Sequence, residues 1–126
     1  MATDSSIPKS RSTRSQYNMT EITIVTHDGT YRGFECHGHA GYADSGEDIV
    51  CSAISALTIN TINSIEHLTD DAISVSSIDK KGDMQCYFTG SVSKEAALLM
   101  DSMKLGLESI AAQYGAQYLK VKIEEV

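Results

Sequence analysis

From Thr20 to Thr26 apolar and polar residues alternate, with Ile22 and Ile24 on one face, and the run predicts a β-strand. His27-Asp28-Gly29-Thr30 follows, with an Asp-Gly pair that signals a hairpin turn. Tyr31 to His37 is then the returning strand, with Gly33 a site for a bulge. The period changes at Asp48. Ile49, Val50, Ile54, Leu57, Ile62, Ile65 and Leu68 recur at helical spacing, so a helix is predicted from an Asp48 N-cap to about Leu68. Thr69-Asp70-Asp71 ends it. Ala72 to Asp79 and Met84 to Thr89 predict two further strands joined by a turn, with Met84, Cys86 and Phe88 on one face. Ser93 caps a second helix whose buried stripe is Leu99, Met103, Leu107, Ile110 and Tyr114, with Gly115 just past its end. Gln117 to Glu124 is a closing strand with Leu119, Val121 and Ile123 inward. The order β-β-α-β-β-α-β predicts an α/β (α+β) single domain. A mixed sheet with both helices packed on one face buries both apolar stripes most simply.

Met1 to Asn18 shows no periodicity and holds the chain's one proline, so residues 1–18 are expected to be either a disordered extension or a remnant of cloning, ahead of a domain at 19–126. The extension carries Asp4 against Lys9, Arg11 and Arg14, so residues 19–126 hold a net −9 where the whole chain holds −7. That sign argues against direct nucleic-acid binding and suits a basic protein partner. No apolar run is read as reaching the roughly 18–20 residues of a membrane span, and no signal peptide is visible, so a cytoplasmic protein is expected. Three cysteines cannot all pair within one chain, which fits a reducing compartment.

The chemistry concentrates in Gly38 to Ser55, GHAGYADSGEDIVCSAIS. Counted from an Asp48 cap, Cys51 falls in the first helical turn, where the dipole and unpaired N–H groups favour a thiolate nucleophile. His39, at the end of the second strand, folds back through a glycine-bounded loop to serve as its base. Gly38, Ala40 and Gly41 leave room for a substrate backbone beside the imidazole. Gly41 and Gly46 bound the segment from Tyr42 to Ser45, which is either a hinged lid or an ordinary connection. Asp48 either caps the helix or orients His39. Ser55 lies one turn beyond Cys51, bonding near the thiol or to the carbonyl one turn back. His37 is the competing base. Cys86 is read as core packing. Cys36, His37, His39 and Cys51 include zinc-ligand types, but they lack a C-x-x-C or H-E-x-x-H spacing, and no metal is expected.

This stretch resembles the signature of the Prp (YsxB-like) ribosomal-processing cysteine proteases of bacteria: a GHA triplet, a short glycine-containing loop, DIVC, and a serine one turn on. The resemblance implies His39 and Cys51 as the catalytic pair, and it sets the family's aspartate on Asp48 and its serine on Ser55. It further implies a cysteine endopeptidase that needs no cofactor and acts as a homodimer. The implied substrate is the N-terminal extension of ribosomal protein L-twenty-seven, removed during ribosome maturation. The residues alone argue only for a thiol nucleophile. A non-catalytic module that docks on a ribosomal protein, or a small metal-binding structural protein, are the other classes they admit.

Overall fold

A computed structural model describes residues 19–38, 45–77 and 83–126, with side chains of the first helix from residue 49 onward. Strands β1 (Thr20–His27) and β2 (Thr30–His37) form the hairpin, helix α1 (Ser45–Leu68) follows, and then come β3 (Ile73–Ser77) and β4 (Met84–Phe88). Helix α2 (Lys94–Tyr114) and strand β5 (Leu119–Glu125) close the chain. The sheet order is β3-β4-β2-β1-β5, antiparallel throughout except for the parallel pair β1–β5. The mixed sheet and single α+β layer pair predicted from the pattern are observed.

Register explains the core. Ile22 lies opposite Cys36 and Ile24 opposite Phe34, while Phe34 in turn faces Cys86. These side chains share the helix-covered face and are buried with Val50, Ile54 and Ile65 of α1 and Ala96, Met100, Met103 and Leu107 of α2. Alternation then puts Glu21, Thr23, Glu35, His37, Gln85 and Tyr87 on the other face. The hairpin bulge falls at Arg32: Val25 pairs with Gly33 and Thr26 with Tyr31. Gly33 is required for space, because a Cβ there would collide with the Cys86 carbonyl oxygen. At the other end of the sheet, Ser93 caps α2 by accepting from the Ala96 N–H at 3.0 Å, while its own N–H donates to Asp71 at 2.7 Å.

Several expectations are corrected. α1 starts at Ser45 rather than at an Asp48 cap. Ser-Gly-Glu-Asp contains no proline, and extending a helix already anchored by an apolar face costs little per residue. Gly46 and Glu47 therefore belong to α1 and not to the connecting loop. On α2 the deepest stripe is Ala96, Met100, Met103 and Leu107, with Leu99, Ile110 and Tyr114 only partly buried. Ile123 is on the helix side, in register with Ile24, but is 54% exposed near the end of edge strand β5. Ile49–Leu68, with mean hydropathy 1.2, does reach the length and apolarity of a membrane span. It passes because its polar positions are mostly Ser, Thr and Asn, and Val50, Ile54, Ile62 and Ile65 are buried in this core. Residues 1–18 and the strand end at 78–79 lie outside the described residues.

Candidate active site

Two elements converge at one end of the sheet. The first is α1. Its core residues Val50, Ile54, Thr58, Ile62 and Ile65 define the buried direction. Cys51 sits about 60° round from Ile54 at the helical rotation, and Ser55 a further turn on along the same flank. Cys51 is accordingly partly exposed, in contrast to the buried Cys36 and Cys86. With α1 starting at Ser45, Cys51 is its seventh residue, in the second turn. The first-turn placement is thus corrected, and the dipole acts on this thiol less strongly than a three-residue separation implies.

The second element is the end of β2. Cys36 points into the core, between Ile22 of β1 and Met84 of β4. Burial pushes its thiol up to about 12, and the negative charges of Asp83 and of an ionised Cys51 push the same way. Asp83 comes just before Met84, the residue of β4 that pairs with Cys36. Cys86, one strand over, is held up at about 11, by burial first and by Glu66 second.

The chain leaves β2 through Gly38, whose φ of 80° is in the left-handed region. A Cβ there would lie 2.5 Å from the Met19 carbonyl oxygen, so the glycine of the GHA triplet is demanded by backbone angle and by space. The Gly38 N–H donates to Asp83 Oδ1 at 3.0 Å. The preceding residue, His37, turns to the uncovered face, where its Nε2 meets Glu35 Oε1 at 2.9 Å and its Nδ1 lies 3.7 Å from Asp83 Oδ2. The Tyr87 hydroxyl donates to the other Glu35 oxygen. The Glu35 bond is the main reason the His37 pKa is raised, and the Tyr87 and His37 bonds hold Glu35 below the usual carboxylate range. His37 thus lies on the opposite sheet face from Cys36, held between Glu35 and Asp83.

Of the residues singled out from the sequence, Gly38 follows the end of β2, Cys51 lies on α1 near enough for its charge to act on Cys36, and Ser55 is one turn further along α1. Gly46 and Asp48 are placed as backbone within α1, and His39, Ala40, Gly41 and Tyr42 lie outside the described residues. Asp83 and Tyr87 were missed. Only the i, i+2 spacing of Glu35 and His37 on one strand signalled a polar cluster. Among the described residues the one metal-capable group is His27, Asp28 and Glu125, exposed at the far end of β1. There Glu125 already accepts from the Thr26 hydroxyl and the Asp28 N–H.

The family model described as cysteine protease Prp matches residues 19–120. The chain belongs to the Prp family of cysteine proteases. The ribosomal processing cysteine protease Prp of Bacillus subtilis (strain 168) is 30% identical over 101 residues, covering 76% of this chain and 90% of that protein. The crystal structure of SMU.848 from Streptococcus mutans superposes with a TM-score of 0.77 at 26% identity, covering 89% of this chain and 99% of the other. The essential ribosomal processing protease Prp of Staphylococcus aureus, solved with a covalently linked product peptide, gives 0.75 at 25% identity, over 84% of this chain and all of that one. As a Prp family member the chain is a cysteine protease, and of its three thiols Cys51 alone is not buried.

Proposed function

We propose that residues 19–126 form a cytoplasmic endopeptidase that removes the N-terminal extension of ribosomal protein L-twenty-seven, with residues 1–18 an appendage to that domain. The observation that carries it is a partly exposed Cys51 whose charge reaches Cys36 near the end of β2, three residues before His39, inside the matched region. The relatives' names supply ribosomal processing, and the covalently linked product peptide in the S. aureus protein is the kind of species a nucleophilic thiol forms.

In this reading His39 takes the Cys51 proton and Sγ attacks the scissile carbonyl carbon. Backbone N–H groups near the start of α1 receive the charge that develops on oxygen. Collapse expels the amine, protonated by His39, and leaves a thioester. Water then attacks the thioester, giving its proton to His39 and restoring the thiol. Asp48 and Ser55 support the pair from α1, and Gly38, Ala40, Gly41, Tyr42 and Gly46 border the substrate. We further read the enzyme as a homodimer. A groove of about 630 Å³ lined by Ala53, Ala56, Leu57, Asn60, Gly106 and Ile110, with Leu105 exposed next in sequence to Gly106, supports a self-complementary contact. Sedimentation velocity checks it, and a lone monomer at all concentrations rejects it.

The test is incubation with a peptide spanning the extension, read by mass spectrometry. Cys51→Ala and His39→Ala are each expected to abolish cleavage while thermal unfolding changes little, since neither removes a large core side chain. Full cleavage by either variant overturns the pair.

A further inference from the structure

The cluster around Asp83 is not explained by the fold. It draws four side chains from two strands and one loop onto the point where the chain leaves β2. Glu35 and His37 come from β2, Tyr87 from β4, and Asp83 from the residue just before β4. The geometry is directional. One Asp83 oxygen accepts from the Gly38 backbone N–H at 3.0 Å, and the other lies 3.7 Å from His37 Nδ1. His37 is in turn tethered through Nε2 to Glu35 at 2.9 Å. The opposite side of Gly38 is packed against the Met19 carbonyl, with no room for even a methyl group. Gly38 is thus held on two sides at the last position before His39.

A glycine with φ of 80° has the most backbone freedom of any residue, so a fixed exit direction there must be imposed from outside. The Asp83 carboxylate is the group that holds the Gly38 N–H. We propose that Asp83 is a positioning residue for the protease reaction, setting the direction in which the chain departs from Gly38 and through it the reach of His39 toward Cys51. The inference rests on the reading of His39 as the base. His37 and Glu35 hold the Asp83 carboxylate in place. Glu21, directly across from His37 on β1, is drawn off towards Lys122 of β5 at 3.8 Å and does not compete for it.

The sign of the effect separates positioning from simple electrostatics. The Asp83 charge disfavours thiolates at this end of the sheet, as its action on Cys36 shows. Through space alone, removing it makes Cys51 more reactive. Through positioning, removing it makes Cys51 less reactive, because His39 loses its approach. The full chain is therefore compared as wild type, Asp83→Asn, Asp83→Ala, His39→Ala and the Asp83→Ala/His39→Ala double variant. The readouts are the rate of Cys51 alkylation by iodoacetamide at pH 7 and kcat and KM on the extension peptide.

Asp83→Asn keeps an oxygen for the Gly38 N–H and is expected to alkylate at or above the wild-type rate. Asp83→Ala is expected to lose about tenfold in alkylation rate and in kcat, with KM within about twofold. In the His39→Ala background the same substitution is expected not to lower the alkylation rate further. The inference is overturned if Asp83→Ala alkylates as fast as wild type or faster, if Asp83→Asn is as impaired as Asp83→Ala, or if the loss persists without His39. If His39→Ala alone alkylates and cleaves like wild type, the reading of His39 as base fails instead, a separate outcome from any of these.

Discussion

Thr20 has a fully buried hydroxyl with no hydrogen-bond partner among the described residues. It begins β1 on the helix-covered face, beside Leu119 of β5. Valine has nearly the same shape and carries no group to desolvate, so Thr20→Val is expected to stabilise the fold by about 1 kcal/mol, read from urea unfolding midpoints at constant slope. His37 belongs to the same scale and has a pH signature. Its pKa is raised in the fold, chiefly by Glu35, and that of Glu35 is lowered, chiefly by Tyr87 and then His37. A raised histidine contributes stability that is full below its unfolded value, about 6.5, and is lost as pH climbs through the folded value. A lowered carboxylate contributes above its unfolded value and loses that contribution as pH falls through the folded one. The pair therefore acts in the window between. The stability gap between wild type and His37→Gln is expected to be widest near pH 6 and to narrow by about pH 8. A gap constant over that range would mean His37 acts by packing alone.

Among elements, the strands and α2 were readable because each has a period of its own and a turn signal on both sides. The start of α1 was not. Gly46 and Glu47 read as loop and Asp48 as the cap, because their small and polar side chains carry no apolar period, and tertiary anchoring through Val50 and Ile54 extends the helix over them. The sheet order was also hidden, since nothing in the Leu119–Glu125 alternation says that it pairs in parallel with β1. For the family, the Cys51 stretch is contiguous and therefore carries the resemblance by itself. The Asp83 cluster joins residues 45 apart, from Gly38 to Asp83, and only folding brings them together. Element placement also ranks the thiols. Cys36 on β2 and Cys86 on β4 are buried, at about 12 and about 11, while Cys51 is on an open flank of α1. Brief alkylation at pH 7 followed by mass mapping is expected to label Cys51 first. Earlier labelling of Cys86 would mean that β4 opens more readily than α1 exposes its thiol.

Across the whole molecule the dominant feature is charge. Residues 19–126 carry a net −9. Ribosomal proteins are generally basic, so opposite charges accelerate encounter and salt screens the attraction. With the intact ribosomal protein, kcat/KM is expected to fall as ionic strength rises to physiological values. With a short uncharged peptide spanning the cut it is expected to stay nearly flat. Equal salt dependence for both substrates would confine the acidic surface to a role in solubility.

The parallel pairing of β1 with β5 has a kinetic consequence. Among the described strands β1 comes first in the chain and β5 last, and the contacts between them, such as the Val126 N–H on the Thr26 carbonyl, span about a hundred residues. Until β5 arrives, β1 has a bare edge and α2 has no strand beneath its outer side. Closing so long a loop is entropically slow, so the native state forms only after translation has delivered residue 119 and beyond. The active-site end, where Thr20 donates its N–H to the Tyr118 carbonyl, is stitched by that same late step. A nascent chain short of β5 therefore has Cys51 but not the finished sheet beside it, and the folded protease is completed only when β5 docks.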